Sequence, residues 1–203
     1  MSIAASHGHH DTAKLLLEHG ASVAVANNLG NTPLSIAASH GHHDTASLLL
    51  AHGASVAVAN NHGATPLLIA AKHGHTDTAN VLLTHGASMD AAIQDWTPLR
   101  FAAFHGHHDT AKLLLEHGAC VDAALEGWTP LHMSAEHGHT STANVLLAHG
   151  ASVDASSDSG ATPLWIAASH GHHDTAKLLL EHGASVAVAN NLGNTPLSIA
   201  ASH

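Results

Sequence analysis

The chain has 203 residues, 45% of them apolar and only 2% aromatic, with 25 His and no Tyr, so its core must be built from small side chains packed closely. Five Lys and Arg against fifteen Asp and Glu leave a net charge of −10 with His neutral, and five scattered cations cannot supply the counterion release that drives phosphate binding, which argues against a nucleic-acid partner. No apolar run approaches the roughly 18 residues of a membrane span, the opening MSIAASHGHHDTA lacks the basic and apolar regions of a signal peptide, and the lone Cys120 excludes an internal disulfide and fits a reducing compartment. The expected location is cytoplasmic.

The elements follow a repeat. Thr-Pro-Leu begins at Thr32, Thr65, Thr97, Thr129, Thr162 and Thr195, at spacings of 33, 32, 32, 33 and 33. In the copy at 30–60, Pro33 suits a first helical turn, where its missing N–H is not needed, and Thr32 is its predicted N-cap. Gly41 should end that helix. A second should begin near His43-Asp44, with the acid placed where the helix dipole favours it, and stop at Gly53; VAVAN then runs extended and turns back. Helices of about eight to ten residues do not stand alone in water, so the face carrying Ile36, Ala37, Ala38, Leu49 and Leu50 must be buried by stacked neighbours. This predicts an all-α solenoid: one array over 1–203, with a partial repeat 1–26, repeats 27–59, 60–91, 92–123, 124–156 and 157–189, and a partial repeat 190–203.

The segment TPLHMSAEHGHTSTANVLLAHGASVD at 129–154 resembles the ankyrin repeat, with its TPLH helix, Gly-His turn, Leu-Leu helix and Gly-Ala hairpin arm. The resemblance covers essentially the whole chain. It implies stacked helix–turn–helix units with β-turn fingers that bind proteins and do not catalyse. The chain departs from the pattern in two places. The TPLH His appears only as His132, its equivalents being Ser35, Leu68, Arg100, Trp165 and Ser198. The Asp usual after Gly-Ala is replaced by Ser22, Ser55, Ser88, Cys120, Ser152 and Ser185, so the usual hairpin hydrogen bonds are not expected in that form. Residues 3–40 are identical to 166–203, and no polar capping repeat stands at either end. This invites two expectations, a window of a longer array or ends that meet other copies head to tail in an open filament.

HGHHD occurs at 7–11, 40–44, 105–109 and 170–174, and imidazole is a common metal ligand. Two of the His columns nevertheless match the resembled pattern: His9, His42, His75, His107, His139 and His172 in its Gly-His turn, and His19, His52, His85, His117, His149 and His182 before its Gly-Ala. The remaining column (His7, His40, His73, His105, His137, His170 and His203) is spaced by whole repeats, about 8–10 Å at ordinary helix packing, too far to share one ion. No metal or other cofactor is expected. Acidification below about pH 6, past the reference His pKa of ~6.5, should loosen the array. An enzyme is not expected either. His-His-Asp recurs with the scaffold, whereas an active site is a single constellation, and there is no HExxH, Gly-Lys phosphate loop or Gly-x-Ser-x-Gly elbow.

Where the chain departs from its own repeat, information about a partner should lie. All five aromatics and the one Arg fall between 96 and 165. Trp96 and Trp128 directly precede Thr-Pro-Leu after linkers shortened by one residue. Arg100, His132 and Trp165 occupy the next column, and Phe104 and Glu136 the one beyond. Trp and Arg together have the composition of an interface hot spot, so Trp96, Arg100, Phe104, Trp128, His132, Glu136 and Trp165 are the candidate partner-binding residues. A Trp in a shortened turn also serves to fill the gap left by the deletion. The function expected is a protein-interaction scaffold gripping a partner on the concave, finger-bearing face of the central repeats; the alternative is a structural protein stacking end to end.

Overall fold

The computed structural model describes residues 2–201. Thirteen α-helices lie among them: α1 Ser2–Ser6, α2 His10–Glu18, α3 Pro33–His40, α4 His43–Ala51, α5 Pro66–His73, α6 Thr76–Thr84, α7 Pro98–Phe104, α8 His108–Glu116, α9 Pro130–Glu136, α10 Thr140–Ala148, α11 Pro163–Ser169, α12 His173–Glu181 and α13 Pro196–Ala200. No strand occurs among the described residues, and the only ladder elements there are the isolated bridges Ile93–Trp96 and Leu125–Trp128. None of these helices is long and apolar enough to cross a membrane. The chain divides into two compact units, residues 1–101 and 102–203.

The Thr-Pro signal opens a helix in every copy. The Thr32 hydroxyl accepts from the Ser35 N–H at 3.2 Å, and Thr65, Thr129, Thr162 and Thr195 do the same for the third residue of α5, α9, α11 and α13. Each cap contributes roughly 1 kcal/mol. Helix α3 ends where Gly41 takes a left-handed conformation, φ 73°. The second helices start on a His with no side-chain cap, and their last turn is closed differently. The Nδ1–H of His19, His52, His85, His117, His149 and His182 donates to the carbonyl four residues back, at 2.8–2.9 Å. Except at His85, the backbone N–H of the same His also donates to that carbonyl, at 3.1–3.2 Å, so main chain and ring close the turn together.

In the first unit α3 packs between α1 and α5 and against its own α4, while α4 lies between α2 and α6. In the second, α11 packs against α9, α12 and α13, and α10 against α8, α9 and α12. Ala37, Ala38, Ala70, Ala71, Leu34, Leu49, Leu67 and Leu82 of the first unit are wholly buried, as are Ala111, Leu114, Leu131, Ala135, Leu146, Ala167 and Leu179 of the second. At ~1.5–3 kcal/mol for each fully buried Leu, this stacking outweighs anything a single two-turn helix contributes by itself.

The Gly-His turn is a lock between repeats. His42 Nε2 donates to the Ser6 carbonyl and His75 Nε2 to that of Ser39, each at 3.2 Å. In the second unit His139 and His172 reach the Phe104 and Glu136 carbonyls at 3.1 and 2.8 Å. Each ring lies on the glycine of the preceding turn: a Cβ built on Gly8, Gly41, Gly106 or Gly138 would come within 2.6–2.7 Å of Nδ1 of the next His. The glycine is therefore needed for close approach as well as for its positive φ.

The Ser that replaces Asp after Gly-Ala makes a local turn instead. Ser22, Ser55, Ser88 and Ser185 Oγ accept from the N–H two residues on, at 3.2–3.3 Å. Carboxylates stand two residues later at Asp90, Asp122 and Asp154, and in the second unit Asp122 accepts from the Ser152 N–H and hydroxyl and Asp154 from the Ser185 N–H.

Candidate functional site

The fingers come in two forms, and the 32-residue spacings mark the difference. In the longer form Asn60 and Ala64 flank a three-residue loop, and Asn60 Oδ1 accepts from the His62 and Ala64 N–H groups, both at 3.0 Å. This is an Asx-type turn. In the shorter form a two-residue turn joins Ile93 to Trp96, which exchange hydrogen bonds at 2.9 and 3.3 Å; Leu125 and Trp128 do so at 2.8 and 3.3 Å. Positive φ at both turn residues (Gln94 49° and Asp95 65°; Glu126 52° and Gly127 73°) identifies the type I′ geometry that suits tight hairpins. The deletion thus lies in the loop tip, and the Trp stands at the stem that the tip closes.

Each of these Trp residues is half-buried and rests on its own repeat's first helix. In the first unit Trp96 lies 5.1 Å from the Phe101 ring and 5.3 Å from the Arg100 guanidinium carbon. In the second, Trp128 lies 5.6 Å from the His132 ring. The expectation that Arg100 and His132 present themselves to a partner is corrected here. Arg100 is 2% exposed and His132 0%. Arg100 donates from Nη1 to the Asp95 carbonyl at 3.3 Å, and its Nε has no partner. Burial lowers its pKa, against the opposing charge of Asp95. His132 is the third residue of α9 and completes a capping box: its Nδ1 accepts from the Thr129 N–H and hydroxyl at 3.2 and 2.9 Å, while its Nε2–H donates to the Ala161 carbonyl at 3.0 Å. Burial holds its pKa below the ordinary imidazole value, more than its hydrogen bonds to the Ala161 and Ala155 backbone and the charge of Asp122 raise it.

The other candidates are half-buried. Phe104 packs edge-on against His137, 4.4 Å between centroids. The carboxylate of Glu136 lies 3.6 Å from His137 Nδ1. Trp165 has a buried indole N–H without an acceptor. His139 titrates below the ordinary imidazole value, chiefly through burial, with His137, His107 and His172 adding to the shift and its bond to Phe104 opposing it. Stacked pairs such as His40–His42 at 5.9 Å and His170–His172 at 6.0 Å set two imidazoles side by side, yet no three His, Cys, Asp or Glu side chains gather as a metal-ligand set among the described residues. His203 lies outside them.

A groove of about 320 Å³ lies elsewhere, wholly within the first unit, between the finger at 60–64 and α5. Leu68 and Ile69 form its buried floor, Ile93 and Phe101 border it, and the exposed His62, Lys72 and His73 stand at its rim. Asn60 Nδ2 donates to Asn31 Oδ1 at 2.9 Å along one wall, which holds adjacent fingers in register. None of the candidate partner-binding residues lines this groove. Its signal was nevertheless present: aligned on 27–42, residues 60–75 differ at His62, Ala64, Leu68 and Lys72, and all four line the groove.

The family model for ankyrin repeats (3 copies) matches residues 1–93, 88–157 and 151–203. The human ASB11 ankyrin repeat domain is 31% identical over 98% of this chain and 90% of its own, with a TM-score of 0.89. The ankyrin repeat domain of Bcl-3, a member of the IkappaB protein family, is 30% identical over 98% of this chain and 92% of its own, with a TM-score of 0.82. No curated protein sequence matches.

Proposed function

The chain belongs to the ankyrin repeat family, and from that premise we propose that it is a non-enzymatic module gripping a protein partner on the surface made by its fingers and first helices. Ankyrin repeat domains generally mediate protein–protein interaction, and members of the family are typically not enzymes. The observation that carries the reading here is the placement of Trp96 and Trp128 on finger stems, each half-buried and braced from below. A side chain held in one orientation loses little entropy when a partner covers it, which is the property of a binding anchor. The partner-facing set is Trp96 in the first unit and Phe104, Trp128, Glu136 and Trp165 in the second. Arg100 and His132 act as the supports beneath the two finger Trp rings.

In titrations against a partner recovered by pull-down on the whole chain, Trp128→Ala should weaken binding by about 2 kcal/mol, roughly thirtyfold, with little change in melting temperature. A fall in melting temperature with unchanged affinity would assign Trp128 to filling its finger instead.

A further inference from the structure

We propose that the groove between the 60–64 finger and α5 receives an extended, acidic segment of the partner, with an apolar side chain seated on Leu68 and Ile69 and a carboxylate at Lys72. The proposal rests on the protein-binding reading above and names the chemistry of one of its sites.

Two independent observations carry it. The first is charge. In a chain with fifteen acids and five cations, the described lining of this groove has no Asp or Glu but has Lys72, His62 and His73. A carboxylate entering here meets no acidic lining residue and comes beside the exposed Lys72 ammonium and an apolar floor. Complementary potentials of this kind select partners and speed their encounter. The second is the repeat itself. Relative to residues 27–42, the stretch 60–75 exchanges Leu29 for His62, Asn31 for Ala64, Ser35 for Leu68 and Ser39 for Lys72. The structure gathers the four replacements around one cavity. Together they remove polar groups from the floor, shorten the side chain on the finger stem and add a cation at the rim. Asn31 and Asn60 pair along one wall, and Lys72 stands at the rim.

Random dodecapeptides displayed on phage, selected on the immobilised full chain and then titrated individually by fluorescence polarisation, test this. The expected winners carry Asp or Glu next to a bulky apolar residue. Their affinity should fall about three- to tenfold in Lys72→Glu and stay unchanged in Lys14→Glu, which makes the same change in net charge on the exposed side of α2. Both positions are exposed, and thermal melts should show both variants folded. Winners without acidic residues, or winners weakened equally by the two substitutions, overturn the proposal. Winners lost in Trp128→Ala but retained in Lys72→Glu also overturn it while leaving the protein-binding reading intact. No enrichment over a blank surface overturns both.

Discussion

His132→Ala is expected to destabilise the chain by about 3 kcal/mol at pH 7.5, and the gap between wild type and variant should narrow as pH falls below 6.5. The substitution leaves the buried Thr129 N–H without its acceptor, at a cost of about 1–3 kcal/mol, and removes one of the two bonds to the Ala161 carbonyl, which keeps that from the Ser157 N–H. It also opens a cavity at a site with no exposure. The pH dependence follows from the same bonds. Nε2 carries the proton and Nδ1 accepts from Thr129, so a second proton on Nδ1 would face a donor and break the capping box. Burial already lowers the folded-state pKa, whereas the unfolded chain titrates near ~6.5. Below that value the unfolded state therefore binds more protons than the folded one. The stabilisation is complete above it and is lost as pH falls toward the folded value. His139, lowered by burial in the same way, adds to the slope and remains in the variant. Melting curves of both proteins between pH 7.5 and 5 check this; a constant gap across that range would show that proton binding at His132 is not linked to folding.

That ring also shows what the sequence discloses and what it withholds. The helix boundaries were legible because Thr-Pro and Gly act locally: a cap and a fixed φ operate within one turn, and the spacing repeats them until they cannot be mistaken. The Gly-His pairing was legible as a column, but its cause was not, since the contact joins Gly8 to His42 and Gly138 to His172, in neighbouring repeats. The candidate binding residues were read by type and column. Type alone placed Arg100 and His132 on a surface, because an Arg beside Trp has interface composition. The third position of the first helix is buried in repeats without a finger Trp as well, at Ser35 and Leu68, so their burial belongs to the position, and neighbouring repeats set it. The groove at Lys72 escaped for a different reason. Its four marking residues are individually ordinary, and they acquire meaning only when the finger and α5 bring them to one place.

The finger geometry makes the second large prediction. Gly127→Ala should destabilise the chain by about 3 kcal/mol, and Gly118→Ala by only about 1–2 kcal/mol. Both glycines hold positive φ, 73° and 91°, so an added Cβ incurs the left-handed penalty in each. They differ in what surrounds that Cβ. At Gly118 nothing lies within 4 Å, whereas at Gly127 it would meet Ser157 Cα at 2.6 Å, Asp158 N at 2.8 Å and the Ser156 carbonyl at 2.9 Å. These are backbone atoms that no rotamer change can move aside. Relief requires the fingers at 126–128 and 157–160 to separate, which breaks the bond from the Asp158 N–H to the Glu126 carbonyl at 3.1 Å. Coupling between adjacent repeats supplies most of a solenoid's stability, so a loss at this one joint should loosen both repeats. Urea titrations of the two variants isolate the contact from the backbone preference, and equal losses would mean that the fingers yield freely. The same separation would shift Trp128, whose stem ends at the turn. Gly127→Ala should then weaken partner binding even though Gly127 contributes no side chain to it, and Gly118→Ala should leave binding intact.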